Sequence, residues 1–282
     1  MIRDGRLRLP RVTLCAVTSV NVPATLRALE ACLKQIAFAE CKLLTDVPVR
    51  ARHPEIRVVQ IKRIDSAAAY SDFLLSQLVD HVETGHCLVA QWDGHVLDAR
   101  LWQPQFLDYD YIGARWPQFG DGDDVGNGGF SLRSRRLMLA CRADGFVSRH
   151  PEDVAIGRTN RGWLEDQGMQ FAPPALADAF AAERAGDLLA SFGYHGIWNM
   201  PRAIGIGNFW QVYRALDERG SVRHDFAALL RDVRRGPEGY RRVGKMVADR
   251  LQDAIHSAAR DCASFMRTRA LEAPDTNIER SE

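Results

Sequence analysis

HCLVAQWDG, residues 86–94, is the stretch on which the fold turns. A short run of apolar and small residues, Cys87 to Ala90, gives way at once to Gln91, Trp92 and Asp93, with Gly94 behind them. Such a run, bounded by turn residues, has the pattern of a strand buried on both faces. The acid at its end has two readings. An Asp-Gly pair often does no more than cap a turn. In an open α/β sheet, however, the carboxyl ends of the strands face the crevice where ligands bind.

The flanking sequence decides for α/β. RVTLCAVTS (11–19) reads as a first buried strand, and Pro23 then stands where a helix N1 proline would, ahead of ATLRALEACLKQI. CKLLT (41–45) and IRVVQI (56–61) read as two further strands, and YSDFLLSQLVDHV (70–82) as an amphipathic helix before the strand 86–91. Strands alternating with helices predict a Rossmann-like, mostly parallel central sheet covered on both faces. Further on, DYDYIGA (108–114) predicts a short aromatic strand and SLRSRRLMLACRAD a strand running into a helix. The alanine-rich stretch from Pro173 to Glu183 predicts a helix. Beyond about residue 200 the pattern changes to two Arg-rich amphipathic helices, 226–235 and 240–269, and a polar, frayed last dozen residues. The expected organisation is a catalytic-type α/β domain over residues 1–200 with a helical C-terminal extension over 201–282.

Composition narrows the partners. The 282 residues carry 37 Lys+Arg against 36 Asp+Glu, so no global field draws the chain to nucleic acid. Six cysteines, at 15, 32, 41, 87, 141 and 262, form no CxxC pair and no zinc-spaced cluster, and several lie in apolar runs. That usage fits a reducing, cytoplasmic compartment. No segment approaches the ~20 apolar residues that span a bilayer.

Four stretches carry candidate chemistry, and each has a plain structural alternative. Asp93 could hold a hard cation with help from elsewhere, or cap its turn. VGNGGFSLRS (125–134) could bring backbone close to a sugar or phosphate, its successive N–H groups forming an anion nest, or be a hairpin turn. It has neither the GxxxxGK[ST] nor the GxGxxG form, which excludes a P-loop and a dinucleotide fingerprint. In HPEDVAIG (150–157), Glu152 and Asp153 could act on a proton, or simply stabilise a helix start. In SFGYHGIWN (191–199), His195 could be a metal ligand, or a satisfied structural histidine.

Their order adds a further argument. QWDG (91–94), WQPQFLDYDYIGARW (102–116), GNGGFSLRS (126–134), ED (152–153) and FGYHG (192–196) form a series. It resembles the nucleotide-sugar glycosyltransferases of the GT-A fold, in particular an uncharacterised bacterial family with QxDG, WxxxFLxYDYIGAxW, GNGGFSLRS, ED and FGxHG. The resemblance covers roughly residues 10 to 200 and leaves the helical tail outside.

The resemblance implies a GT-A-like fold and transfer of a sugar from a nucleotide-diphosphate donor to a glycan or lipid-linked acceptor. It places nucleotide contacts at Val17, Thr18, Ser19 and Asn21, with Arg63 and Ser66 as further candidates. Gln91 stands where most GT-A enzymes have the first acid of a DxD motif, so Asp93 is the one strong carboxylate ligand there. His195 would complete the shell of a divalent metal, Mn²⁺ or Mg²⁺. Asp153 would be the general base of an inverting transfer, with Glu152 as the alternative in another register. Asn127, Gly128 and Gly129 would line the donor and acceptor cleft. Trp102, Trp116 and Phe130 are candidates for stacking on sugar rings, or core residues.

Arg231, Arg234, Arg235, Arg241, Arg242 and Lys245 give the extension a basic face. It is read as a solvated surface, as a peripheral contact with anionic membrane, edged by Ile197, Trp198, Phe209, Trp210 and Tyr213, or as a homodimer interface. Two other functions stay open. A nucleotidyltransferase would normally have a Gly- and Lys/Arg-bearing signature after the first strand, which VTSVNVPATL lacks. A catalytically silent sugar- or nucleotide-binding module fits the halved DxD.

Overall fold

The structure, a computed structural model, describes residues 2–3 and 5–271, with side chains over residues 5–256. The polar last dozen residues lie outside the described residues, apart from Leu271, and so does the side chain of Cys262. The chain divides into two compact units, residues 1–218 and 219–282.

The first unit is a mixed α/β body built on a mostly parallel sheet flanked by helices. A two-residue strand β1 (Ile2–Arg3) pairs antiparallel with β2 (Arg6–Val17). α1 (Val22–Leu33), β3 (Ile36–Thr45), β4 (Ile56–Gln60), α2 (Ala67–Ser76) and β5 (His86–Ala90) follow. Then come β6 (His95–Val96), β7 (Tyr111–Ile112), β8 (Phe130–Ser134) and α3 (Arg135–Ala140). The sheet order is β4-β3-β2-β5-β8-β7. The four strands β4, β3, β2 and β5 run parallel, and β8 is antiparallel to both β5 and β7. The predicted alternation is therefore present, and β5 sits inside the sheet.

Burial explains why these strands read as continuous apolar runs. Leu14 and Ala16 of β2, with Leu88 and Ala90 of β5, enter one core, together with Leu29 and Leu33 of α1. Their neighbours Cys15, Val17, Cys87 and Val89 point to the opposite face and pack with Phe73 and Leu74 of α2. Side chains alternate with the pleat, and both faces are covered. The five cysteines at 15, 32, 41, 87 and 141 are buried and free.

Four expectations change. β3 begins at Ile36, inside the segment read as the end of a helix, because α1 stops at Leu33. The helix expected over 70–82 ends at Ser76 and gives way to a 3-10 turn, Leu78–His81. The aromatic strand shrinks to Tyr111–Ile112. The alanine-rich helix, α6 (Pro174–Phe180), stops early, and Ala181–Ala182 becomes strand β9. β9 pairs parallel with β10 (Gly193–Tyr194), which pairs antiparallel with β6, making a second, three-stranded sheet. Between β8 and β9 also lie α4 (Glu152–Val154) and α5 (Arg161–Asp166).

α7 (Met200–Ala203) and α8 (Ile206–Tyr213) finish the first unit. Ile197, Phe209 and Tyr213 are buried, so they supply no apolar edge at the surface. The second unit holds α9 (Phe226–Arg234) and α10 (Gly239–Leu271). Arg231, Arg234, Arg235, Arg241 and Lys245 are exposed, and three of them face acids of the same helical region: Arg235 with Asp232, Arg241 with Glu238 and Lys245 with Asp249. Exposed pairs of this kind contribute little to stability. Among the described residues, no helix is long and apolar enough to cross a membrane.

Candidate functional site

A cavity of about 600 Å³ opens at the carboxyl ends of the parallel strands. Several loops and element ends bring residues to it. Val17, Thr18 and Ser19 come from the end of β2, Ser66 and Tyr70 from the start of α2, and Gln91 and Trp92 from the end of β5. Asn127 and Gly129 precede β8, Glu152 and Asp153 begin α4, and His195 follows β10. Residues far apart in sequence, from Val17 to Glu218, thus share one wall, because parallel strands put all their carboxyl ends on one side.

Not every expected nucleotide contact reaches this space. Asn21 is 1% exposed, and its side chain is consumed within the fold. Its Oδ1 accepts from the N–H groups of Asp217 and Glu218, and its Nδ2 donates to the Glu218 carbonyl. Arg63 is exposed and does not line the cavity, whereas its neighbours Ile64 and Asp65 do. Ser19 lines it, but its hydroxyl accepts the Ile64 N–H at 2.8 Å and so ties the first loop to the third strand's loop. Ser66 caps α2, its hydroxyl accepting from Ala69 N–H. The stacking candidates are core. Phe130 is fully buried against Phe180 and Phe192, Trp116 is 7% exposed, and Trp102 packs edge-on to Phe106 and Phe192. The aromatic rings at the cavity are Tyr70 and Trp92, the latter offered by the sequence only as a residue between two motif positions.

QWDG is indeed a turn: Gly94 N–H donates to the Gln91 carbonyl at 3.1 Å. Gly94 does not need a left-handed backbone there. A Cβ on it would stand 3.0 Å from both the His195 ring and the Tyr194 carbonyl, so its missing side chain admits β10. The turn directs Asp93 inward to 5% exposure, beside His195. Burial raises the Asp93 carboxyl above the usual carboxylate range, an effect that His195 and backbone N–H groups only partly offset.

His195 sits among three acceptors. Its Nδ1 is 3.2 Å from Glu183 Oε1, and its Nε2 is 3.2 Å from Gln91 Oε1 and 3.6 Å from Asp93 Oδ1. Burial alone would depress the imidazole, but Asp93 and Glu183 overcome it and raise the ring to about 9. Gln91 presents its oxygen to the ring because its amide nitrogen donates to the Tyr70 hydroxyl at 2.8 Å. One imidazole nitrogen, one carboxylate oxygen and one amide oxygen therefore converge.

That donor set suits a proton on Nε2, and equally a divalent cation whose remaining positions are filled by phosphate oxygens and water. Among the described residues, no group of three or more His, Cys, Asp and Glu side chains forms a ready cage. Asp93, Gln91 and His195 make a half-shell. Gly129 leaves room for it, since a Cβ there would stand 2.0 Å from Nε2. Gly129→Ala must push the imidazole off its carboxylate partners. Overpacking of this kind costs about 1–3 kcal/mol, which urea denaturation would register.

The glycine loop does not form an anion nest. Gly128 N–H donates to Asp153 Oδ2 at 3.2 Å and Gly129 N–H to Asn127 Oδ1 at 2.9 Å, so both are satisfied within the chain. The loop instead holds Asp153 in place. Burial and the neighbouring Glu152 raise Asp153 to about 6, against the backbone N–H groups of Gly128 and Val154 that favour its charged form. Glu152 differs from it. Glu152 is 5% exposed, and its Oε1 takes Arg133 Nη2 at 3.1 Å while Oε2 accepts from the Ser71 hydroxyl. Both Glu152 oxygens are thus engaged by side chains, whereas Asp153 is held only by backbone N–H groups, which makes Asp153 the candidate base at this edge of the cavity.

A family model described as a protein of unknown function, DUF5672, matches residues 53–195. The chain belongs to this family. The matched span runs from just before β4 to His195 itself, and so takes in QWDG, the glycine loop, the Glu152–Asp153 pair and Glu183. A search of curated proteins finds no match to the chain.

Proposed function

We propose that this member of the DUF5672 family is a GT-A-like glycosyltransferase that moves a sugar from a nucleotide-diphosphate donor to a hydroxyl of a glycan or lipid-linked acceptor. The observation that carries this reading is a pairing at one cavity: Gln91 and His195 in its wall, with buried Asp93 3.6 Å from the imidazole, and the elevated carboxylate of Asp153.

The charge of the cavity supports a cation. Its wall includes Asp65, Glu152, Asp153 and Glu218, while its lining residues include no Lys or Arg. His195, and Arg133 paired to Glu152, offset part of this charge, but a diphosphate still meets the carboxylates of Asp65, Asp153 and Glu218 unless a positive ion accompanies it. Asp93, Gln91 and His195 would hold a divalent cation, Mn²⁺ or Mg²⁺, the imidazole favouring Mn²⁺. Once bound, it would supply neutralisation of the charge that grows on the departing diphosphate.

The chain's own residues account for the rest. Thr18 and Ser19 border the place for the nucleoside, and Trp92 offers a ring face to a base or sugar. Asp153, fixed by Gly128 and Val154 N–H groups, takes the proton of the acceptor hydroxyl as its oxygen attacks the anomeric carbon. Attack opposite the leaving nucleotide inverts that carbon.

The test is donor turnover. With a panel of nucleotide sugars and Mn²⁺, the wild-type protein is expected to hydrolyse or transfer one of them. Asp93→Ala is expected to lose about 10²-fold in kcat, the scale of removing one electrostatic partner of a leaving group. Turnover unchanged by Asp93→Ala would remove the site assignment. A silent binding module would instead bind one nucleotide and turn over none.

A further inference from the structure

Glu183 is the group at the site to which the proposed reaction gives no task. Its side chain is 6% exposed, and its Oε1 lies 3.2 Å from Nδ1 of His195. The parallel pairing of β9 and β10 sets Ala182 opposite Tyr194, so the next residue along each strand, Glu183 and His195, emerge side by side. Asn199, 2% exposed, fastens the two backbones, its Nδ2 donating to the carbonyls of Glu183 at 3.0 Å and His195 at 2.9 Å. The His195 N–H completes the clamp by donating to the Ala182 carbonyl at 3.0 Å. The carboxylate thus has a fixed position relative to the ring.

An ionised carboxylate can only accept hydrogen bonds, so the ring nitrogen facing Glu183 must carry a proton. Nε2 faces two further acceptors, Gln91 Oε1 and Asp93 Oδ1, so it carries a proton as well until a divalent cation displaces it. We infer that Glu183 is a positioning residue, which keeps the His195 proton on Nδ1 and so presents Nε2, beside Gln91 and Asp93, to a divalent cation. This rests on the metal reading given above. A carboxylate behind a ligating imidazole holds its tautomer and raises its basicity, and removing it costs about 10–100-fold in metal affinity.

The test uses Mn²⁺ alone as the probe, with free Mn²⁺ read by its electron paramagnetic resonance signal. Wild type, Glu183→Gln and Glu183→Ala are titrated after far-UV circular dichroism confirms their fold. Gln is nearly isosteric but can turn its amide and donate to Nδ1, which places the imidazole proton on the wrong nitrogen. Both variants are expected to bind Mn²⁺ at least about 10-fold more weakly than wild type. Equal affinity in Glu183→Gln and wild type would overturn the inference.

A second measurement needs no variant. Above about pH 9, where the ring is neutral, the ¹⁵N resonances of labelled histidine in the wild-type protein report which nitrogen of His195 holds the proton. Nδ1–H is expected, and Nε2–H would overturn the role of Glu183. A wild-type protein that binds no Mn²⁺ would overturn the metal reading of the site instead, and the ¹⁵N result would then decide Glu183 by itself.

Discussion

Asp153→Asn is expected to lower kcat for sugar transfer by about 10²–10⁴-fold while leaving nucleotide binding nearly unchanged, because a positioned general base contributes on that scale. The pH profile gives the same residue a second signature. Asp153 must be ionised to accept a proton, and it is raised to about 6 by burial and by Glu152. Activity should therefore fall with a one-proton slope as pH drops through about 6, and this limb should vanish from the residual activity of the variant.

Linkage predicts a stability effect of opposite sign. A carboxyl whose folded value is raised above its unfolded one stabilises the fold fully only below the unfolded value. That contribution is lost as pH rises through the folded value. Between about pH 4 and pH 6, Asp153 thus removes up to about 3 kcal/mol from the native state. Asn cannot ionise, but it can accept only one of the two N–H groups that the carboxylate now takes. The net gain for Asp153→Asn above pH 7 is expected to be about 1 kcal/mol, shrinking below pH 4. A variant that is less active and more stable is the pattern of a functional group held against its preference. A variant that is less active and less stable would mark a structural one.

Arg133→Met is the substitution with the largest expected effect on stability. Arg133 is 1% exposed and carries the ion pair to Glu152, a bond to the Ser131 hydroxyl and a longer one to the Gly128 carbonyl. It also lies over the Tyr111 ring. The methionine would fill much of the volume but leave Glu152 as a buried, unpaired charge. Breaking a buried pair from one side costs about 3–5 kcal/mol, and chemical denaturation would read it. Arg133→Met combined with Glu152→Gln should recover part of the loss, since no stranded charge remains. Equal destabilisation in the single and double variants would show that the cost lies in packing and not in the stranded carboxylate.

How far the sequence reached follows from what each residue does locally. The strands 11–19, 41–45 and 86–91 were legible because both faces are buried, which leaves a nearly unbroken apolar run, and 56–61 because Ile56, Val58 and Val59 keep a short β-branched run on a half-exposed edge strand. β9 was not. Ala181 and Ala182 carry helix propensity, and only their pairing to Gly193 and Tyr194 makes them a strand. That misreading also hid Glu183, whose task depends on a register no local pattern encodes. Asp93, Asp153 and His195 were found as members of an ordered series; the fold sets Asp153 and His195 in the wall of one cavity and buries Asp93 beside His195. Asn21 and the aromatic candidates failed for a different reason. Sequence identifies a polar or aromatic residue near a loop, but not whether the fold itself absorbs it, as Asp217, Glu218 and the Phe106–Phe180–Phe192 cluster do.

The central claim is that the half-shell at Gln91, Asp93 and His195 joins a nucleoside diphosphate to the protein through a divalent cation. Isothermal calorimetry with a series of nucleoside diphosphates, each with Mn²⁺ and with chelator, tests it most directly. One nucleoside diphosphate is expected to bind the wild-type protein with Mn²⁺, chelator to abolish that binding, and Asp93→Ala to lack it under both conditions. Binding of equal strength with Mn²⁺ and with chelator, or no binding of any nucleoside diphosphate, would contradict it.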